Sequence, residues 1–153
     1  MSHALPPFEH EVEVRYGETD QMGVVYHANY LLYFEEGRTK LMASLGLPYA
    51  EVERRGCALA VRKAALRYRS PARYGETLVV RTWIEKIGGA SISFLYEIVR
   101  KEGRERVAEG STELACVDLR SPSRPVCMLP EDLRAALAPP IFSIHVRTTS
   151  VSP

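Results

Sequence analysis

One carboxylate, Asp20, stands seven residues ahead of one histidine, His27, in the stretch YGETDQMGVVYHANYLLYFEEGR, residues 16–38. A carboxylate can attack a carbonyl carbon itself or take a proton from water as a general base. A helix starting near Ala28 or Asn29 adds unpaired backbone N–H groups and the positive end of its dipole, which stabilise an oxyanion. Gly23 lets the loop backbone approach a ligand with no side chain in the way. Attack and oxyanion stabilisation would then come from one short segment. Spacing alone favours a plainer reading, in which Asp20 forms an Asx-turn or caps the helix. His27 has its own plain reading, as a loop histidine that is exposed or bonded to backbone. Tyr16 can be a strand-end tyrosine with its ring in the core and its hydroxyl at the surface.

The elements that must position these groups are legible from periodicity. EHEVEVRY, residues 9–16, alternates apolar and polar side chains as a half-buried strand does. From Asn29 to Leu45 the period becomes helical. Tyr30, Phe34, Gly37, Leu41 and Leu45 form an apolar face, opposite Glu35, Glu36, Thr39 and Lys40. Gly46 and Pro48 end the helix. Gly37 on the apolar face costs about 1 kcal/mol of helix propensity relative to alanine, which predicts a close approach of the helix backbone to a sheet. Strand patterns follow at 57–69, 78–85, 91–100 and 106–119, with turns at Gly88-Gly89 and 101–105. PEDLRAAL, residues 130–137, predicts a short helix. The expected architecture is α+β: an antiparallel sheet of about five strands wrapped on one long amphipathic helix. One domain spans residues 1–138, and residues 139–153 form a loosely held extension.

Composition narrows the function. The 153 residues are 46% hydrophobic and 25% charged with a net charge of +1, which suits one folded domain and gives no electrostatic case for nucleic acid or an acidic membrane surface. MSHALPPFEH lacks the apolar core of a secretory signal, and no apolar run is long enough to span a bilayer. Cys57, Cys116 and Cys127 are too few and too irregularly spaced for a disulfide framework or a zinc site, and Cys116 in ELACV reads as a small core residue. The expected compartment is the cytoplasm, where thiols stay reduced. No metal-ligand cluster, phosphate loop or dinucleotide motif is visible, so no metal and no cofactor are expected.

The motif D-x-x-G-V-V-Y-H-x-x-Y resembles the signature of the 4-hydroxybenzoyl-CoA thioesterase family, most of all its short acyl-CoA thioesterases associated with the Tol-Pal envelope system. The likeness continues through YRSPARYGE (68–76), IGGASISFLYEIVR (87–100) and AEGSTELACVD (108–118), and covers about residues 10–137. The resemblance implies a hotdog fold, a curled antiparallel sheet around one central helix. It also implies a homodimer or homotetramer with active sites between subunits, an acyl-CoA substrate whose coenzyme A is no cofactor, and an envelope-system or acyl-carrier partner. By the same resemblance Asp20 is the catalytic carboxylate, nucleophile or base, and His27 and Tyr16 assist it. Gly23, Val25 and Tyr26 would line the substrate, with the thioester oxygen near the amide of Tyr26 or His27. Arg73 and Lys86, with the basic run Arg62, Lys63, Arg67 and Arg69, are candidates for the CoA phosphates, although solvated strand positions explain most of that run. Glu35 and Glu36 are rival carboxylates, placed by the helical period on the solvent face. The competing functions are a hotdog 3-hydroxyacyl-thioester dehydratase, whose local His–carboxylate motif is not found, and a non-catalytic envelope-associated binding protein.

Overall fold

The computed structural model describes residues 6–137. In chain order the elements are β1 (Phe8–Glu13), α1 (Asn29–Ser44), α2 (Tyr49–Arg54), β2 (Cys57–Tyr68), β3 (Thr77–Ile87), β4 (Ser91–Arg100), β5 (Arg106–Asp118) and α3 (Glu131–Leu137). The five strands form one antiparallel sheet in the order β1-β3-β4-β5-β2. This is the α+β architecture that the element order predicts, and the hotdog arrangement that the resemblance implies. The proposed extension 139–153 lies outside the described residues. Among the described residues no helix is long and apolar enough to cross a membrane, and no group of His, Cys, Asp and Glu is placed to hold a metal ion.

Helix α1 is seated in the sheet through two glycines. A Cβ on Gly37 would lie 2.6 Å from Thr82 Oγ1 and 2.7 Å from Val80 Cγ1, so the helix backbone rests directly on β3. This is the close approach that glycine on the apolar face predicts. A Cβ on Gly110 would fall 2.3 Å from the carbonyl oxygen of Ala65 and 2.7 Å from the Phe34 ring. Only hydrogen at that position lets Phe34 pack down onto β5 and stack on Tyr96 of the neighbouring β4, with ring centres 4.3 Å apart.

The buried stripe of α1 differs from the expected one. It runs through Tyr30, Tyr33, Phe34, Gly37, Arg38 and Met42, while Leu41 and Leu45 are only partly buried. The helix lies obliquely on a curled sheet, so its contact line drifts along i, i+4 steps and turns Leu41 and Leu45 aside. Two further boundaries are corrected. β1 ends at Glu13 because the chain enters a single 3-10 turn at Tyr16–Glu18, and the helical turn α2 fills a stretch that carried no predicted element.

The sheet has two unlike edges. β1 is short. β2 is long, its pairing with β5 shifts register between Val61 and Lys63, and its outer side pairs with nothing among the described residues. From Ala60 to Tyr68 every residue of β2 except half-buried Leu66 is exposed, including Val61 and Tyr68.

Candidate active site

The segment between β1 and α1 is braced by Glu18. Its carboxylate oxygen Oε1 accepts the Arg15 N–H at 2.8 Å and the Tyr33 hydroxyl at 2.9 Å. Its backbone carbonyl accepts the Tyr26 N–H at 2.9 Å and the Asn29 side-chain amide at 2.8 Å. Burial, followed by the bond to Glu18, raises the pKa of the Tyr33 phenol and keeps it protonated as the donor. Glu18 therefore ties the loop to the first turns of α1, a task that no local pattern announces.

Asp20 opens a tight reversal. The Asp20 N–H donates to the Val24 carbonyl and the Gly23 N–H to the Asp20 carbonyl, both at 2.9 Å, with Gly23 at φ +79°. The Met22 N–H donates to Asp20 Oδ1 at 2.8 Å. The Asx-turn geometry is thus realised, and it occupies one carboxylate oxygen only. Asp20 is half-buried, and Oδ2 has no protein donor among the described residues. The turn is docked on the sheet side by the Val25 N–H on the Ala72 carbonyl at 2.8 Å and by an antiparallel bridge from Val24 to Arg73.

The helix that follows is uncapped. Ala28, in the N-cap position, offers no side-chain bond, and the first turn contains no acidic residue. Among the described residues the N–H groups of His27 and Ala28 have no protein acceptor, whereas that of Tyr26 is taken by Glu18. Open donors and the positive dipole end thus face the solvent just beyond the Asp20 turn. The His27 carbonyl accepts the Tyr68 hydroxyl from β2 at 2.9 Å. The His27 ring lies 4.4 Å from the Tyr26 ring, is exposed, and makes no hydrogen bond to Asp20.

The other expected residues separate clearly. Gly23 is exposed with open space where a Cβ would be, and Tyr26 is 46% exposed. Val25 is 4% exposed; its side chain belongs to the core and anchors the turn. Tyr16 is 77% exposed and packs edge-on against Tyr74 at 5.6 Å; the 3-10 turn, and no strand end, presents it. Arg73 is exposed beside the Asp20 turn with its guanidinium unpaired among the described residues. Lys86 sits at the opposite end of β3 from that turn, near Glu113, and one chain does not bring it to Asp20. Arg62 and Arg69 are paired with Glu113 at 2.7 Å and Glu109 at 2.5 Å.

A second feature went unseen in the sequence. A cleft of about 500 Å³ opens between the C-terminal half of α1, α2, β2 and β5. Met42, Leu47, Val52, Leu59, Val61 and Leu114 give it apolar walls. Glu35 and Arg38 line its polar end, 3.6 Å apart. Arg38 is buried, and its Nη1 reaches the Tyr96 hydroxyl at 3.5 Å, which is in turn 2.6 Å from Thr112 Oγ1. Burial raises the pKa of the Tyr96 phenol. Glu35 thus borders the cleft as well as solvent, whereas Glu36 is bonded to His10 at 2.8 Å.

Comparison with known proteins closes the description. A family model described as the thioesterase-like superfamily matches residues 14–137. The chain is 45% identical over 111 residues to the putative acyl-CoA thioesterase YneP of Bacillus subtilis, covering 72% of this chain and 80% of that one. It is 33% identical over 130 residues to the acyl-CoA thioesterase YbgC of Haemophilus influenzae, covering 84% and 93%. Among solved structures, Slr0204, a 1,4-dihydroxy-2-naphthoyl-CoA thioesterase from Synechocystis, superposes with a TM-score of 0.78 at 27% identity, covering 86% and 95%.

Proposed function

The chain belongs to the thioesterase-like superfamily and is a thioester hydrolase, and from that premise we propose that it cleaves acyl-CoA to the free carboxylic acid and CoA with Asp20 as the reacting carboxylate. The observation that carries this reading is a carboxylate with one oxygen fixed and one free, held immediately before an uncapped helix N-terminus. The Met22 amide orients the carboxylate. Oδ2 attacks the thioester carbon or takes a proton from the water that does. The carbonyl oxygen gains charge and is stabilised by the open amides at His27 and Ala28. The carbon–sulfur bond breaks and the thiolate leaves as CoA; where water attacked, the acid forms directly, and where Oδ2 attacked, water then hydrolyses the acyl–Asp20 anhydride, which releases the acid and restores the carboxylate. The His27 ring is free to protonate that thiolate, and Arg73 beside the turn suits a phosphate of the CoA. Because the Tyr26 amide is already bonded, the oxyanion role falls on the residues after it.

The acyl group needs a pocket, and the apolar cleft is the natural one. Within one chain it is remote: from Val61 at the cleft to Tyr68 at the His27 carbonyl, β2 runs seven residues, about 23 Å. A second copy removes the distance. Two β2 edges paired antiparallel about a two-fold axis at the middle of the exposed stretch set the Tyr68 end of one chain against the Val61 region of the other. The Asp20 turn of each subunit then faces the cleft of its neighbour, and the site is complete only in the dimer. The reaction belongs in the cytoplasm in this reading, with no cofactor.

Two measurements test it. Acyl-CoAs of varied chain length and ring content are supplied, and free CoA is followed with a thiol reagent; release of thiol is expected. Hydration of an enoyl-CoA without thiol release would make the protein a dehydratase, and neither activity would make it a binding protein. Light scattering should give a multiple of the 17.2 kDa chain mass. A monomer that stays active on dilution would refute the shared site.

A further inference from the structure

Three cysteines that are dispersed in the sequence meet at one point of the fold. Cys116 lies near the end of β5. Beyond the end of β4 its neighbour on that side is the returning segment after Pro125, joined through an antiparallel bridge between Val117 and Val126. The Cys127 N–H donates to the Cys116 carbonyl at 2.9 Å, so the two cysteines stand directly opposite one another. Their sulfurs are 3.5 Å apart. The Cys116 N–H donates to the Ala90 carbonyl, so only one bond joins the two cysteines, and it is the facing position and the sulfur separation that bring them to disulfide reach. Cys57, at the start of β2 on the strand beside Cys116, is buried and its thiol donates to the Val52 carbonyl.

We propose that Cys116 and Cys127 form a redox modification site, oxidised to an intramolecular disulfide by a small-molecule disulfide. The accessible member is Cys127, which is half-buried, whereas Cys57 and Cys116 are buried. The Cys127 thiolate attacks one sulfur of the reagent, whose disulfide bond breaks and releases one reagent thiol. Cys116 then attacks the Cys127 sulfur, loses its proton and expels the second reagent thiol. Two protein thiols are oxidised, and one reagent disulfide is reduced to two thiols. Burial raises the pKa of Cys116, which keeps it from being the first attacker; its place 3.5 Å from the Cys127 sulfur is what fits it to the second step.

The site borders the cleft. Leu59, which lines it, pairs with Cys116 across the sheet, and the carbonyl of Val52, another wall residue, accepts the Cys57 thiol at 3.6 Å. The crosslink fastens the segment after β5, which also carries the Leu129 N–H bonded to the Gly89 carbonyl at 2.9 Å. Closing even this short loop stabilises the folded state by restricting the unfolded one, although less than a long loop would.

The test is incubation of the reduced full-length protein with oxidised glutathione, followed by intact mass, a count of free thiols and a non-reducing peptide map. The expected product has lost two hydrogens, keeps one free thiol, joins the peptides bearing Cys116 and Cys127, and melts several degrees higher than the reduced form. Cys116→Ser should stop at a glutathione adduct on Cys127, and Cys57→Ser should react as wild type does. A wild-type protein that keeps three thiols, a lasting glutathione adduct in wild type, or a crosslink that joins Cys57 to Cys127 would each overturn the proposal. The chemistry is read independently of thioester hydrolysis, so an inactive protein leaves the test intact.

Discussion

The two ends of α1 are built from opposite materials. At its N-terminus the chain presents a turn of backbone hydrogen bonds, a half-buried carboxylate and uncapped amides, nearly all within a dozen consecutive residues. Along its C-terminal half the same helix borders a cleft whose walls come from α1, α2, β2 and β5. The first end can polarise and attack, and has little surface on which to hold an apolar chain. The second, in our proposal, buries the acyl group, and its only carboxylate among the described residues, Glu35, faces Arg38. Reactivity needs a few atoms in fixed relation, which local sequence supplies. Recognition needs enclosing area, which only distant segments brought together can supply.

The contrast can be broken most sharply at the turn. Asn in place of Asp20 keeps an oxygen to accept the Met22 amide and so keeps the turn, but it cannot attack or accept a proton. Asp20→Asn should lower kcat by about 10²–10⁴-fold with an unchanged melting temperature; activity within a few-fold of wild type would shift the chemistry to Glu35. Next in size is Gly110→Ala. The new methyl group would meet the Ala65 carbonyl and the Phe34 ring, and relieving that overlap lifts α1 from its seat. A loss of about 3 kcal/mol is expected from urea unfolding, with both ends of the helix impaired together. Unchanged stability would mean that the seat has slack.

The cleft should answer differently from the turn. Leu59→Ala removes part of its wall and should reduce kcat/KM about 10-fold or more for acyl groups that fill it, with little change for acetyl-CoA. An equal loss for both would show that Leu59 supports the fold and not the acyl group. The smallest effect is expected at His27. His27→Ala removes the ring but leaves its open amide and the carbonyl held by Tyr68. A loss of about 10-fold fits a ring that assists the leaving group. An unchanged rate would make the ring a bystander.

Much of this was legible before any coordinates. The switch from period-2 to helical spacing marks the start of α1, the glycine on its apolar face announces a close approach to a sheet, and the motif around Asp20 announces the turn and the helix behind it. Apart from which strand meets the glycine, these are features of residues near in sequence, where geometry follows from backbone conformation and side-chain type. What failed was local pattern applied to long-range packing. Leu41 and Leu45 fit the period but lie beside the contact line, while Arg38 lies on it, because the angle at which a helix crosses a curled sheet is set by the sheet.

The sequence by itself determined the strands, the long helix and the short C-terminal helix in their order, the α+β class, a close approach of Gly37 to a sheet, and a carboxylate just before a helix N-terminus. Only the tertiary structure decided that Glu18 braces the turn through Tyr33, that Tyr68 from β2 holds the His27 carbonyl, that Val25 is core, that a cleft opens beside Arg38, and that Cys57, Cys116 and Cys127 converge. Each of these joins segments distant along the chain. Such contacts are fixed by strand register and by the approach of α1 to the sheet, which depend on how all the apolar faces are buried at once and on no single stretch of residues.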